Sequence, residues 1–207
     1  MTIRLHRGDL PDLSRYRGGA VAIDTEAMGL DLHRDRLCVV QISPGDGSAD
    51  VIQIPTGTNE APNLTKLLAD GTILKIFHFA RFDLAVLYKR LGVMPSPVYC
   101  TKIASRIART YSDKHGLKDL VREVLGIDLS KQQRLSDWGA ETLTDAQLAY
   151  AASDVLHLHA LKEKLDAILI REGRADLAAA CFRFLPDRVR LDLAGWADED
   201  IFSHSQP

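Results

Sequence analysis

The chain has 207 residues, 46% of them hydrophobic and 26% charged, with a formal charge of −2. That length can bury a sizeable core in one α/β domain, and the near-neutral charge does not suggest a long nucleic-acid-binding surface while leaving room for a local basic patch. Cys38, Cys100 and Cys181 are odd in number, far apart and without CxxC spacing, so they read as reduced thiols of a cytoplasmic protein; the sequence shows no signal-peptide pattern and no apolar run that would span a bilayer.

In chain order, 21–24 reads as a strand and Leu37–Ser43 as a second, buried one. The turn cluster Pro44-Gly45-Asp46-Gly47 joins it by a hairpin to a third strand at 51–54. A helix is expected at 63–69, a strand at 73–77, a helix at 81–91 ended by Gly92, and a short strand at Val98–Cys100. Helices follow at 102–109 and at Leu117–Leu125, the latter closed by Gly126. Thr144 and Gln147 have the spacing of a capping box, which opens the longest expected helix, 144–172, with Gly173 as its stop. A last helix at 175–185 ends at Pro186 and leaves an irregular tail with apolar residues, Trp196, Ile201 and Phe202. Hairpin-linked strands followed by strand–helix alternation predict an α/β fold, a mixed five-stranded sheet flanked by helices.

Four carboxylates stand where apolar neighbours make them costly. Asp24 and Glu26 close the run Ala20-Val21-Ala22-Ile23, Asp83 follows the apolar segment at 73–77, and Asp154 lies on an apolar helix. An ionised carboxylate in such a setting needs a cation or a hydrogen-bond network. Asp24 and Glu26, two apart on a strand, project from one face, and Tyr150 and Asp154, four apart on a helix, are neighbours. Taken singly, D-x-E is most often a solvated strand end, Tyr150 a core aromatic and His78 a satisfied histidine. If the four carboxylates converge, they make a site for a hard divalent cation such as Mg²⁺ or Mn²⁺, and hence for phosphoryl chemistry.

The joint pattern carries more than its parts. Asp24-Thr25-Glu26 after one strand, His78-Phe79-Ala80-Arg81-Phe82-Asp83 after a later one, and Tyr150-x-x-x-Asp154 on a late helix resemble the three exonuclease motifs of the tyrosine-containing branch of the DEDD superfamily, the ribonuclease D-like family. The segments at 33–41, 100–105 and 184–186 are similar to the nano-RNase C group of compact bacterial oligoribonucleases within it. The resemblance implies an RNase H-like fold over residues 1–190 and a metal-dependent 3′→5′ exoribonuclease releasing nucleoside 5′-monophosphates from short RNA with a free 3′ end, especially diribonucleotides. It further implies a homo-octamer, for which the tail 191–207 offers a contact. Few residues follow the last expected helix, so an extra helical RNA-binding domain is not expected there.

By the same resemblance, Asp24, Glu26 and Asp154 hold one divalent cation, and Asp24 with Asp83 a second. Tyr150 orients the attacking water. Met28 and Leu30, just after the first motif, occupy the place of a base wedge; a loop leucine packed on the core is the alternative for Leu30. His78 is a candidate to contact phosphate or to support the metal ligands, and Lys131, with Gln132, Gln133 and Arg134, is a candidate from its place before Ser136-Asp137-Trp138 to reach the 5′-phosphate of a short substrate. Lys102, Arg106 and Arg109 form a basic helix stripe, read first as a solvated face. Two other functions stay open: an exonuclease on longer RNA ends or DNA, and a non-catalytic nucleic-acid-binding module.

Overall fold

The structure, a computed structural model, describes residues 2–57, 60–129 and 136–204. Its framework is a meander of β2 (Ala20–Ala27), β3 (Leu37–Ser43) and β4 (Ser48–Gln53), paired antiparallel. All seven residues of β3 are buried, as a strand covered on both faces requires. β5 (Leu74–Phe77) lies parallel to β2, and β6 (Val98–Cys100) parallel to β5. An edge strand, β1 (Thr2–Arg7), runs parallel to β4. The sheet is therefore six-stranded, in the order β1-β4-β3-β2-β5-β6, not five-stranded. β1 escapes sequence reading because an edge strand carrying Arg4, His6 and Arg7 lacks the apolar run of a buried one.

Among the described residues, seven α-helices cover the sheet: α1 (Pro62–Ala69), α2 (Ala80–Leu91), α3 (Thr101–Ala108), α4 (Leu117–Leu125), α5 (Asp145–Leu156), α6 (Leu158–Arg171) and α7 (Ala175–Leu191). The alternation of β2 sorts them. Val21 and Ile23 face a core shared with Leu64, Leu68, Leu84, Leu87, Leu185 and Val189 of α1, α2 and α7. Ala22 faces the opposite core, with Leu120, Val155, Leu158, Leu161 and Leu165 of α4, α5 and α6. Each fully buried leucine contributes about 1.5–3 kcal/mol relative to exposure. By the same alternation Asp24 and Glu26 point to the α5 side and Thr25 to the α2 side.

Two helix limits differ from expectation. The long helix at 144–172 is two helices, broken at His157 (φ −104°, ψ −5°), because α5 packs on β2, β3 and β4 whereas α6 turns to α3 and α4. The last helix runs through Pro186 to Leu191 and into a π-turn, Asp192–Trp196. Proline inside a helix costs about 3 kcal/mol; here Val189 is buried beyond it, and Arg188 binds Asp192 across the next turn at 2.7 Å. The expected boundary at 190/191 thus falls within the last turn of α7. The capping box forms as expected, with both Thr144–Gln147 hydrogen bonds present. No helix of the described residues is long and apolar enough to cross a membrane.

Candidate active site

The site grows from the end of β2. Its pairing with β5 stops at Ala22, and a register shift against β3 falls between Glu26 and Ala27, so Asp24, Thr25 and Glu26 form an overhanging lip. The first turn of α2 reaches this lip from one side and α5 from the other. α2 starts at Phe79 in the left-handed region (φ 65°), a conformation costing a non-glycine residue about 1–2 kcal/mol. That tight turn between His78 and Ala80 brings Asp83 beneath the lip, where it accepts a 2.7 Å hydrogen bond from the Thr25 hydroxyl.

From the other side, α5 carries Tyr150 and Asp154. Asp24, Glu26 and Asp154 present carboxylate oxygens within 4.8 Å of one another. Tyr150 hydrogen-bonds Asp154, and its ring lies 6.0 Å from that of the buried Trp138. Gln53 and Gln147 hold the loop bearing Trp138, donating at 2.7 Å to the Ala140 carbonyl and at 3.1 Å to that of Asp137. Gln41, across from Asp24 in register, donates to Asp24 Oδ2 at 3.4 Å.

Like charges dominate the electrostatics. Burial, then Asp83, Asp154 and Glu26, raise the Asp24 carboxyl well above the usual carboxylate range. Burial likewise pushes Asp83 and Asp154 up to about 7, although hydrogen bonds from Thr25 and Tyr150 pull the other way. Among the described residues no lysine or arginine pairs with Asp24, Asp83 or Asp154. Closely spaced, half-buried carboxylates without a protein cation fit a hard divalent cation, which takes oxygen ligands.

The remaining expected residues fall into place unevenly. Leu30 is 82% exposed and Met28 55%, so Leu30 is not packed on the core. The Met28 thioether occupies the space that a Cβ on Gly139, in the loop before α5, would need, and the Asp35 carboxylate does the same at Gly29 in the loop after β2, so the two loops pack closely at these side chains. His78 Nδ1 lies 2.9 Å from the Thr101 hydroxyl, and burial, with Lys102 nearby, lowers it to about 3, so the ring is neutral at ordinary pH. Lys131 lies outside the described residues. Arg109 leaves the basic stripe: it sits beyond the end of α3, 2% exposed, bound to Glu123, Ser105 and the Lys114 carbonyl. Sequence reasoning missed the supporting roles of Thr25 and Gln41, since which residue faces which carboxylate depends on strand register and helix placement.

The pattern of the 3′-5′ exonuclease family matches residues 12–170. The chain belongs to that family. Its members are hydrolytic and depend on divalent metal. Ribonuclease D of Gluconacetobacter diazotrophicus is 37% identical over 167 residues, covering 81% of this chain and 42% of the relative; the chain thus spans about two-fifths of the length of the curated relatives it matches. Brucella melitensis NrnC with bound Mg²⁺ superposes with a TM-score of 0.95 at 63% identity, covering 99% of this chain and 100% of that one. The same Brucella protein bound to pGG matches at 0.96 and 64% identity, with the same coverage. Escherichia coli RNase D, an exoribonuclease involved in structured RNA processing, matches at 0.82 and 26% identity over 96% of this chain and 54% of that one. The mixed sheet with flanking helices is accordingly the RNase H-like exonuclease fold.

Proposed function

We propose that this chain is a cytoplasmic 3′→5′ exoribonuclease that hydrolyses short oligoribonucleotides, diribonucleotides above all, to nucleoside 5′-monophosphates. The observation that carries this reading is the convergence of Asp24, Glu26 and Asp154 oxygens within 4.8 Å, with Asp83 beneath the same lip. In support of the short substrate, the Brucella protein that matches the chain along nearly its whole length is bound to pGG.

Asp24, Glu26 and Asp154 would hold one Mg²⁺ or Mn²⁺, and Asp24 with Asp83 a second. Cations held there lower the pKa of a water and offset charge on the leaving 3′-oxygen. Tyr150 orients the attacking water with its hydroxyl; a phenol titrates near 10 when unperturbed, too high for an efficient general base at neutral pH. Gln41 and Thr25 fix the Asp24 and Asp83 carboxylates, as outer partners of metal ligands do. Leu30, exposed beside the site, wedges between the two bases, with Met28 flanking it. His78, neutral, contacts phosphate as a hydrogen-bond partner rather than as a charge, and Lys131 meets the 5′-phosphate.

The assembly is a homo-octameric ring in which the tail 191–207 contacts a neighbour. Trp196, Ile201 and Phe202 are 43%, 39% and 77% exposed, apolar surface of the kind that marks an interface. Light scattering should give eight times the 22.9 kDa chain mass, and deletion of 194–207 should dissociate it; a monomer overturns the ring. The activity is tested by a product time course on 5′-labelled RNAs of two to seven nucleotides beside single- and double-stranded DNA. Fastest turnover of the dinucleotide is expected. Equal or faster turnover of long RNA or DNA overturns the substrate assignment.

A further inference from the structure

A pocket lined by Phe79 and Arg81 of the His78–Asp83 segment, and by none of the four carboxylates, opens where α2, α3 and α7 meet. Its volume is about 260 Å³, and its lining combines an apolar floor of Cys100, Ile103, Cys181 and Leu185 with a rim of Phe79, Phe184, Arg81, Lys102, Arg106 and Arg188. Two of the four cations are committed. Arg81 grips Asp192 through Nε and Nη2 at 2.5 and 2.7 Å, and Arg188 donates to the same carboxylate at 2.7 Å. Asp192 is 5% exposed, so this clamp is a fixed wall. The other two are not: among the described residues neither Lys102 nor Arg106 forms an ion pair. They lie one turn apart on α3, on the same side of the helix. Lys102 Nζ stands 4.3 Å from the centre of the Phe79 ring, and Phe79 and Phe184 are 46% and 38% exposed.

We propose that this pocket binds a nucleoside monophosphate unit. Lys102 and Arg106 take the phosphate through charge-assisted hydrogen bonds, and the base lies against the apolar floor and the Phe184 ring, a pairing worth about 1–3 kcal/mol per stacked base in single-strand binders. The volume is near the lower end of the range for small-ligand sites and suits one nucleotide, not a duplex. Because Phe79 lines the pocket and belongs to the His78–Asp83 turn, the occupant is either a free mononucleotide, the product class of the proposed activity on which this inference rests, or a further nucleotide of a strand whose 3′ end is in the catalytic centre.

The test uses the full chain in excess chelator, so that no metal at the carboxylates can hold the phosphate. Calorimetric titration with GMP should show saturable binding. Lys102→Ala/Arg106→Ala should weaken it at least about tenfold, the loss expected for charged hydrogen bonds, and Phe184→Ala should weaken GMP while sparing inorganic phosphate; unchanged melting temperatures show that both variants fold. If GMP does not bind, a strand occupant requires that a seven-nucleotide RNA bind more tightly than a dinucleotide in Ca²⁺, and that the double variant erase the difference. Absence of both effects overturns the proposal. So does a change in assembly mass on mutating Lys102, Arg106 or Phe184 without any change in nucleotide binding, since the occupant is then a second copy of the chain.

Discussion

Among the described residues, carboxylates are held in two opposite settings. Asp50 is 3% exposed and accepts hydrogen bonds from Arg15, Tyr16 and His6, while Asp192 is gripped by Arg81 and Arg188. At the end of β2 the carboxylates of Asp24, Glu26 and Asp154 face one another, with Gln41 donating to Asp24 over a long contact and the Tyr150 hydroxyl donating to Asp154. The first arrangement is neutralised within the chain and holds the fold together. The second sets like charges side by side, an arrangement that suits an external divalent cation.

The largest effects separate the two regions. Asp24→Asn, Glu26→Gln, Asp83→Asn or Asp154→Asn should each nearly abolish hydrolysis of a labelled dinucleotide while leaving the protein folded. Asp192→Asn should instead cost about 2–3 kcal/mol in denaturant unfolding, since it leaves guanidinium groups without their buried partner. Activity surviving in the Asp24→Asn protein, or an undiminished midpoint in Asp192→Asn, breaks the contrast. Next in size, Tyr150→Phe should lower kcat about 10²-fold with little change in substrate affinity; wild-type kcat returns Tyr150 to a packing role beside Trp138.

Much of the catalytic region was legible because its signals are local. The two-residue step from Asp24 to Glu26, the four-residue step from Tyr150 to Asp154 and the Thr144–Gln147 cap follow from strand and helix periods. What was not legible depends on tertiary packing. The pairing of Gln41 with Asp24 is set by register across two strands, and that of Thr25 with Asp83 by the approach of α2 to the opposite face. Helix α7 passes Pro186 because buried contacts beyond it outweigh the lost hydrogen bond, and the bend at His157 exists because α5 and α6 serve different neighbours. Arg109 was assigned to an exposed stripe by helical spacing, but the helix has ended by that residue and the side chain turns inward to Glu123.

The contrast also has a pH signature. Because the folded-state values of Asp24, Asp83 and Asp154 are raised, the metal-free folded chain binds more protons than the unfolded chain between about 4 and 7. Stability from this source therefore falls as pH rises from about 4 through the raised values, which for Asp83 and Asp154 lie at about 7. Metal-free melting temperatures should drop between pH 5 and 8 less steeply in Asp154→Asn than in the wild type; equal slopes contradict the assigned shifts. The smallest effect concerns Leu30→Ala, which should weaken dinucleotide binding in Ca²⁺ by at most about 1–3 kcal/mol. Unchanged affinity removes Leu30 from the substrate site.

The most direct test is the melting temperature at pH 8 of the wild type and of Asp24→Asn, each without metal and with saturating Mn²⁺. If the facing carboxylates form a cation site, Mn²⁺ raises the wild-type value by ligand linkage, and metal-free Asp24→Asn melts above metal-free wild type because a repelling charge is gone, with a much smaller Mn²⁺ response. A wild type indifferent to Mn²⁺, or a metal-free Asp24→Asn protein less stable than its parent, contradicts the cation site on which the proposed hydrolysis depends.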